Sequence, residues 1–242
     1  MKEIFYSKQL GIRLIGLLGL WAICRMGFYL CNMASFPIHG FSDLAKIFFY
    51  GIRFDLASII YVNLVFAILS LLPFSFRKNN TYQKIQQYIF IIFNSIALYF
   101  EVVDMGYFRF AFRRFIGSDL MLVGETTHLF LQFIQDFWYL ALLYIALIWC
   151  LVFLYKKTKV ESPLENPTQW KQIGIFIFAI TLLLLGARGG FQARPIMALT
   201  AAQYVDDTRL MPLQSNTTLN ICLLYTSPSP RDRTRSRMPS SA

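Results

Sequence analysis

Leu56–Phe76 is a run of 21 residues without a single charge. A hydrocarbon core of about 30 Å is crossed by around 20 helical residues, so this run alone restricts the chain to folds that can bury or lipid-coat such a helix. Four more apolar stretches accompany it: Leu10–Met33, interrupted by Arg13 and Arg25; Ile85–Phe100 and Gln172–Ala187, 16 uncharged residues each; and Phe137–Tyr155, with 19. The two 16-residue stretches reach spanning length with Tyr82, Tyr88 and Trp170 placed at the interface. Only 15% of the 242 residues are charged and 56% are hydrophobic, against about 25% charged in soluble domains. That balance excludes a soluble globular enzyme, and it equally excludes disorder. The expectation is an all-α polytopic membrane protein with five transmembrane helices over residues 1–200.

The position of the charges, rather than their number, gives the orientation. Lys2, Lys8, Arg77, Lys78, Lys84, Lys156, Lys157, Lys159 and Lys171 lie in short polar connectors or beside span ends, where the positive-inside rule applies. The opposite set, which includes Lys46, Arg53, Arg109, Arg113, Arg114, Arg188, Arg194 and Arg209, is almost as large, but several of its members sit among aromatics. The N-terminus is therefore placed in the cytoplasm and the C-terminus outside. No cleavable signal peptide is evident, because the first apolar segment has an internal Arg and no small-residue cleavage site.

Several residues are candidates for more than anchoring. Arg13 and Arg25 lie about 18 Å apart along one helix. Each either snorkels to its own interface or finds a partner, and for Arg25 the obvious partner is Glu101 or Asp104. Arg53 and Asp55, in GIRFDL, point to opposite helix faces and cannot pair with each other; each reaches a neighbouring helix or a headgroup. Met105–Phe115, MGYFRFAFRRF, suits an interfacial amphipathic helix with aromatics in the acyl chains and Arg109 and Arg113 among phosphates. Arg188 and Arg194 flank a Gly-Gly helix stop and Pro195, and could hold a phosphate group or act as stop anchors. Only His39 and His128 are present, with no HxxxH, CxxC, phosphate loop or nucleophile elbow. Basic charge mixed with aromatics can mark nucleic-acid binding. Here it borders membrane spans, so the expected partners are anionic or phosphate-bearing lipids and no nucleic acid. Nothing in the sequence gives an oligomeric state.

Residues 227–242 differ abruptly from what precedes them. Four Arg and one Asp there account for +3 of the formal +10, leaving +7. From Cys222 onward the sequence CLLYTSPSPRDRTRSRMPSSA resembles translated sequencing adapter, so residues 222–242 are set apart as an artefactual tail, and the natural chain is expected to continue past Ile221. Residues 201–221 then read as the start of an extracytoplasmic linker.

The five-span plan, GIRFDL at residues 51–56, D-x-x-YFRF from Asp104, RGG-x-x-x-RP at residues 188–195 and A-x-x-Y at Ala201–Tyr204 occur in this order. Together they resemble the membrane domain of bacterial lipoteichoic-acid-synthase-like proteins of the alkaline phosphatase/sulfatase superfamily. The resemblance implies a plasma-membrane protein followed by a large extracytoplasmic domain. In that family this domain binds a divalent metal (Mn, Mg or Zn) and uses a Thr nucleophile to transfer a phospho-group or hydrolyse a phosphate or sulfate ester. None of those catalytic or metal-binding residues has a counterpart in this chain. The resemblance therefore implies an anchoring and lipid-presenting role, with Arg53, Asp55, Asp104, Arg109, Arg113, Arg188 and Arg194 as headgroup or interface candidates. A phosphoethanolamine-transferase-like membrane domain, a non-catalytic scaffold and a transporter are the alternatives.

Overall fold

The computed structural model describes residues 5–38, 40–72, 79–117, 119, 136–158, 169–190, 196 and 207–224. Among these, every element is helical: α1 (Phe5–Cys31), α2 (Phe41–Leu71), α3 (Asn80–Ala111), α4 (Trp138–Lys157), α5 (Gln169–Ala187), and the short α6 (Met211–Gln214) and α7 (Thr217–Leu224). Single 3-10 turns stand at Met33–Ser35 and Thr208–Leu210. α1 to α4 are long and apolar enough to cross a membrane. α5 forms where the fifth span is expected, with an apolar run, Ile173–Ala187, shorter than those of the other four.

Two helices overrun the stretches that composition marks. α2 has 31 residues and α3 has 32, about 46–48 Å at 1.5 Å per residue, well beyond a ~30 Å core. α2 begins at Phe41 rather than Leu56 and stops before Pro73, as the restriction on the residue preceding proline requires. α3 is capped by Asn79, whose side chain accepts from the Thr81 amide at 3.0 Å. At its far end α3 runs through Met105–Ala111 and ends at Phe112, in left-handed conformation with φ 51°. The expected separate interfacial helix is thus not formed over Met105–Phe115; its first two turns belong to α3, because their buried face (Asp104, Met105, Phe108) continues that of the span.

α2 lies centrally, packed on α1, α3 and α5, while α3 also packs on α1 and α4. The core is aromatic at both ends. Phe66, Phe90 and Tyr155 pack ring against ring with centroids 4.9 and 5.3 Å apart at one end. Phe28, Phe36 and Phe108 do so at the other, at 5.1–5.9 Å. Midway, Asn63 and Asn94 exchange amide hydrogen bonds of 3.0 and 2.7 Å, and each also donates to the carbonyl one turn back. Inside a bilayer, apolar contact gives no hydrophobic drive, so tight packing and such interhelical hydrogen bonds hold helices together. Around the outside, Ile15, Ile23, Val65, Ile92, Ile145, Trp149 and Phe178 are all exposed, the surface a lipid solvent favours.

Candidate functional site: a buried polar latch

Residues 207–224 fold onto the end of the bundle where α1 and α3 finish, α6 contacting α1 and α2, and α7 contacting α2 and α3. Leu210, Leu213 and Leu219 of the segment are buried against the bundle, and a set of polar groups fixes it further. Arg25, 4% exposed, sits near the end of α1. Its Nε bonds Asp55 Oδ2 at 3.2 Å, and its Nη2 reaches Asp55 Oδ1 at 2.5 Å and the Gly51 carbonyl at 3.1 Å. Its Nη1 donates to the carbonyls of Leu213 and Gln214, the latter at 2.6 Å. Gly51 makes this possible, since a Cβ there would fall 2.7 Å from the Arg25 Cζ.

Arg114 mirrors it from just beyond α3. Its Nη1 bonds Asp104 Oδ2 at 2.8 Å and Thr217 Oγ1 at 3.2 Å, with Glu101 Oε2 at 3.6 Å. Its Nε donates to the Pro212 carbonyl at 2.7 Å and its Nη2 to that of Ser215 at 3.0 Å. The guanidinium lies 3.6 Å from the Phe28 ring centroid, a desolvated cation–π contact. The left-handed Phe112 turns the chain back, so that Arg114 reaches Asp104, and the Phe115 amide donates to the same carboxylate at 2.8 Å.

The carboxylates grip the incoming segment in turn. Asn216 Nδ2 donates to Asp55 Oδ1 at 2.9 Å, and Ser58 Oγ lies 2.7 Å from Asn216 Oδ1. Thr217 Oγ1 donates to Asp104 at 2.6 Å. The Thr218 amide and hydroxyl both donate to Glu101 Oε1, at 2.8 and 2.9 Å. Two guanidiniums face three carboxylates, all buried. Ions are retained in a dry interior only where partners and extra hydrogen bonds offset lost hydration. Here nearly every polar atom of the five groups is spent on the segment or on another member.

Of the residues expected from sequence to form a site, Asp55 and Asp104 are therefore structural acceptors inside the latch. The expected pairing of Arg25 with Glu101 or Asp104 is corrected: Arg25 takes Asp55, and Arg114 takes the α3 acids. Arg13 does not snorkel either; it is 3% exposed, stacked 4.0 Å from the Tyr155 ring centroid. Arg53 bonds the Gly189 carbonyl at 2.6 Å, tying α2 to the end of α5. Arg109 donates twice to the Cys31 carbonyl, at 3.2 and 3.0 Å, and stays exposed. Arg113 clasps Asp119 with bonds of 2.8 and 2.7 Å. Burial pushes the Asp119 carboxyl up, but Arg113 and the Ile116 amide outweigh it and hold the group below the usual carboxylate range. Arg188 is exposed at the end of α5. Arg194, His39, His128 and the stretches Phe191–Pro195 and Ala201–Tyr204 lie outside the described residues. So does the tail beyond Leu224, although α7 already includes Cys222.

Arg114, Asn216, Thr217 and Thr218 complete the cluster without having been singled out, and Glu101 belongs to it through Arg114 and Thr218 rather than Arg25. A weak signal existed: Arg114 neighbours Arg113, and the doublet gives no hint which one turns inward. Among the described residues, no group of three or more His, Cys, Asp or Glu is arranged to hold a metal. No nucleophile–base pair emerges from the latch geometry; what it does is clamp a backbone. Comparison with family models, curated proteins and solved structures yields no match to this chain.

Proposed function

We propose that the chain is the five-span membrane domain of a lipoteichoic-acid-synthase-like enzyme of the alkaline phosphatase/sulfatase superfamily. In this reading it lies in a bacterial plasma membrane with its N-terminus cytoplasmic. It anchors an extracytoplasmic catalytic domain and presents phosphate-bearing lipid to it. α5, with its exposed Trp170 at one end and Arg188 at the other, completes the fifth crossing by local thinning or snorkelling.

The observation that carries the reading is the latch. A bundle that only needed to sit in a membrane would not hold two arginines and three carboxylates in its interior to fix the carbonyls of residues 212–215. A domain that must hold the following chain in register with the lipid surface does need such a clamp. Exposed Arg109, half-exposed Arg113 and exposed Arg188 stand at that same end and form the headgroup face. The divalent metal (Mn, Mg or Zn) and the nucleophile belong to the domain that follows.

The test is long-read sequencing of the source DNA through codon 221, followed by lipid-turnover assays on the protein of that frame. The reading expects several hundred further residues with a metal-binding Glu, a Thr nucleophile and later Asp and His residues. It also expects Arg109→Ala with Arg188→Ala to lower turnover of a membrane-embedded lipid while membrane insertion stays normal. A frame without those residues, or unchanged turnover, contradicts it.

A further inference from the structure

The end of the bundle opposite the latch carries a groove of about 720 Å³ between α1 and α4. That is within the ~300–1,000 Å³ of ordinary small-molecule sites. Its walls are apolar, running along Ile12, Gly16 and Leu20 of α1 and Phe153 of α4, and its mouth holds Lys8 and Lys157. Gly16 forms the floor: a Cβ there would fall 2.4 Å from Leu154 Cδ1, so the two helices meet at this point and part on either side. From Lys8 to Leu20 the groove runs about 18 Å along α1, slightly more than one leaflet of a ~30 Å core.

Among the described residues, the charges at the mouth have one sign. Both lysines are exposed, and no lining residue is acidic. The Lys157 ammonium lies 5.7 Å from the Phe153 ring centroid, above the apolar wall rather than away from it. Behind the mouth, Gln9 Nε2 donates to the Thr158 carbonyl at 2.7 Å and Arg13 Nε to Thr158 Oγ1 at 3.0 Å. This ladder closes the groove towards the core, where the Arg13 guanidinium lies over the Tyr155 ring. The Arg13 Nη2 is buried with no hydrogen-bond partner among the described residues.

We infer that this groove binds one molecule of an anionic phospholipid, with an acyl chain along Ile12–Leu20 and its phosphate between Lys8 and Lys157. A zwitterionic lipid offers the same chain, but its ammonium would face two lysines. The latch and the headgroup face are at the far end of the bundle. Failure of this inference therefore leaves the proposed function standing, and failure of that function leaves the groove.

The probe is phosphatidylglycerol. The full chain is reconstituted in nanodiscs of phosphatidylcholine with a minor fraction of phosphatidylglycerol, released into mild detergent, and its retained lipids are counted by native mass spectrometry. One phosphatidylglycerol retained in preference to phosphatidylcholine is expected. Lys8→Gln and Lys157→Gln should each lower that preference about fivefold, the worth of one lysine beside an anionic surface. Lys84→Gln, on α3, should leave it unchanged. Ile12→Trp fills the groove and should abolish retention in a protein whose helicity is intact, which keeps the test valid if the lysine variants fold poorly. Equal retention of the two lipids, an equal loss with Lys84→Gln, or displacement by excess inorganic phosphate would each overturn the assignment.

Discussion

Arg114→Met removes the guanidinium from the latch but keeps a side chain of similar reach. The arginine makes four hydrogen bonds of 2.7–3.2 Å, to Pro212, Asp104, Ser215 and Thr217. It also pairs with Glu101 at 3.6 Å. Its loss strands two carboxylates, 4% and 0% exposed, and two backbone carbonyls. Breaking a buried pair from one side costs about 3–5 kcal/mol, most of it the uncompensated charge left behind. The expected loss is of that size in equilibrium unfolding of the reconstituted protein in mixed micelles. Neutralising the acids as well (Arg114→Met with Asp104→Asn and Glu101→Gln) should recover a large part of it, since the stranded charges are gone. Arg209→Gln, which breaks an exposed pair with Asp207, should leave the midpoint where it was. A loss under about 1 kcal/mol for Arg114→Met, or no recovery in the triple variant, would refute the claim that these ions are buried and mutually dependent.

Three further outcomes follow from the same contacts. Gly51→Ala improves helix propensity by up to ~1 kcal/mol yet should destabilise by about 1–2 kcal/mol net, because the new methyl displaces the pinned Arg25 guanidinium; a gain in the same unfolding assay would contradict this. Asn94→Ala should cost about 1–2 kcal/mol by orphaning Asn63, whereas Asn63→Leu with Asn94→Leu should cost less than the two single changes summed. The depressed Asp119 carboxyl should stabilise the turn after α3 fully above the ordinary Asp value of about 3.9, and lose that contribution as pH falls through its lower folded value. Tyr107 fluorescence in a variant carrying no other reporter near the turn should therefore stay flat from pH 7 to about 5 and change only below the usual range; a transition above it would reverse the sign.

That the chain forms helices long and apolar enough to cross a membrane was legible because it rests on uncharged runs and on composition. The end of α2 at Leu71, ahead of Pro73, and the Asn79 cap of α3 use residue types that commonly stop and start helices, although neither was read so from the sequence. What was not legible is where α2 and α3 extend past the apolar runs. Asp43, Lys46, Arg53 and Asp55 look like the end of a span when each charge is counted as exposed; in the folded chain Asp55 is 3% exposed because Arg25 and Asn216 are there to meet it. The partners of Arg25 were misjudged for the same reason. Height along the helices made Glu101 and Asp104 plausible, but which acid is taken depends on the return of residues 211–218, which carry no periodic apolar signal. Arg113 and Arg114 show the limit most plainly: adjacent, chemically identical, one half-exposed and one sealed over Phe28.

Hydrogen–deuterium exchange of the reconstituted chain, followed in peptides covering residues 211–220, tests the latch most directly. The account predicts protection comparable to that of α2 and α3, lost when Arg25→Leu or Arg114→Met is introduced while the α2 and α3 cores stay protected. Exchange as fast as that of an open linker in the unaltered chain, or protection indifferent to both arginines, would contradict it.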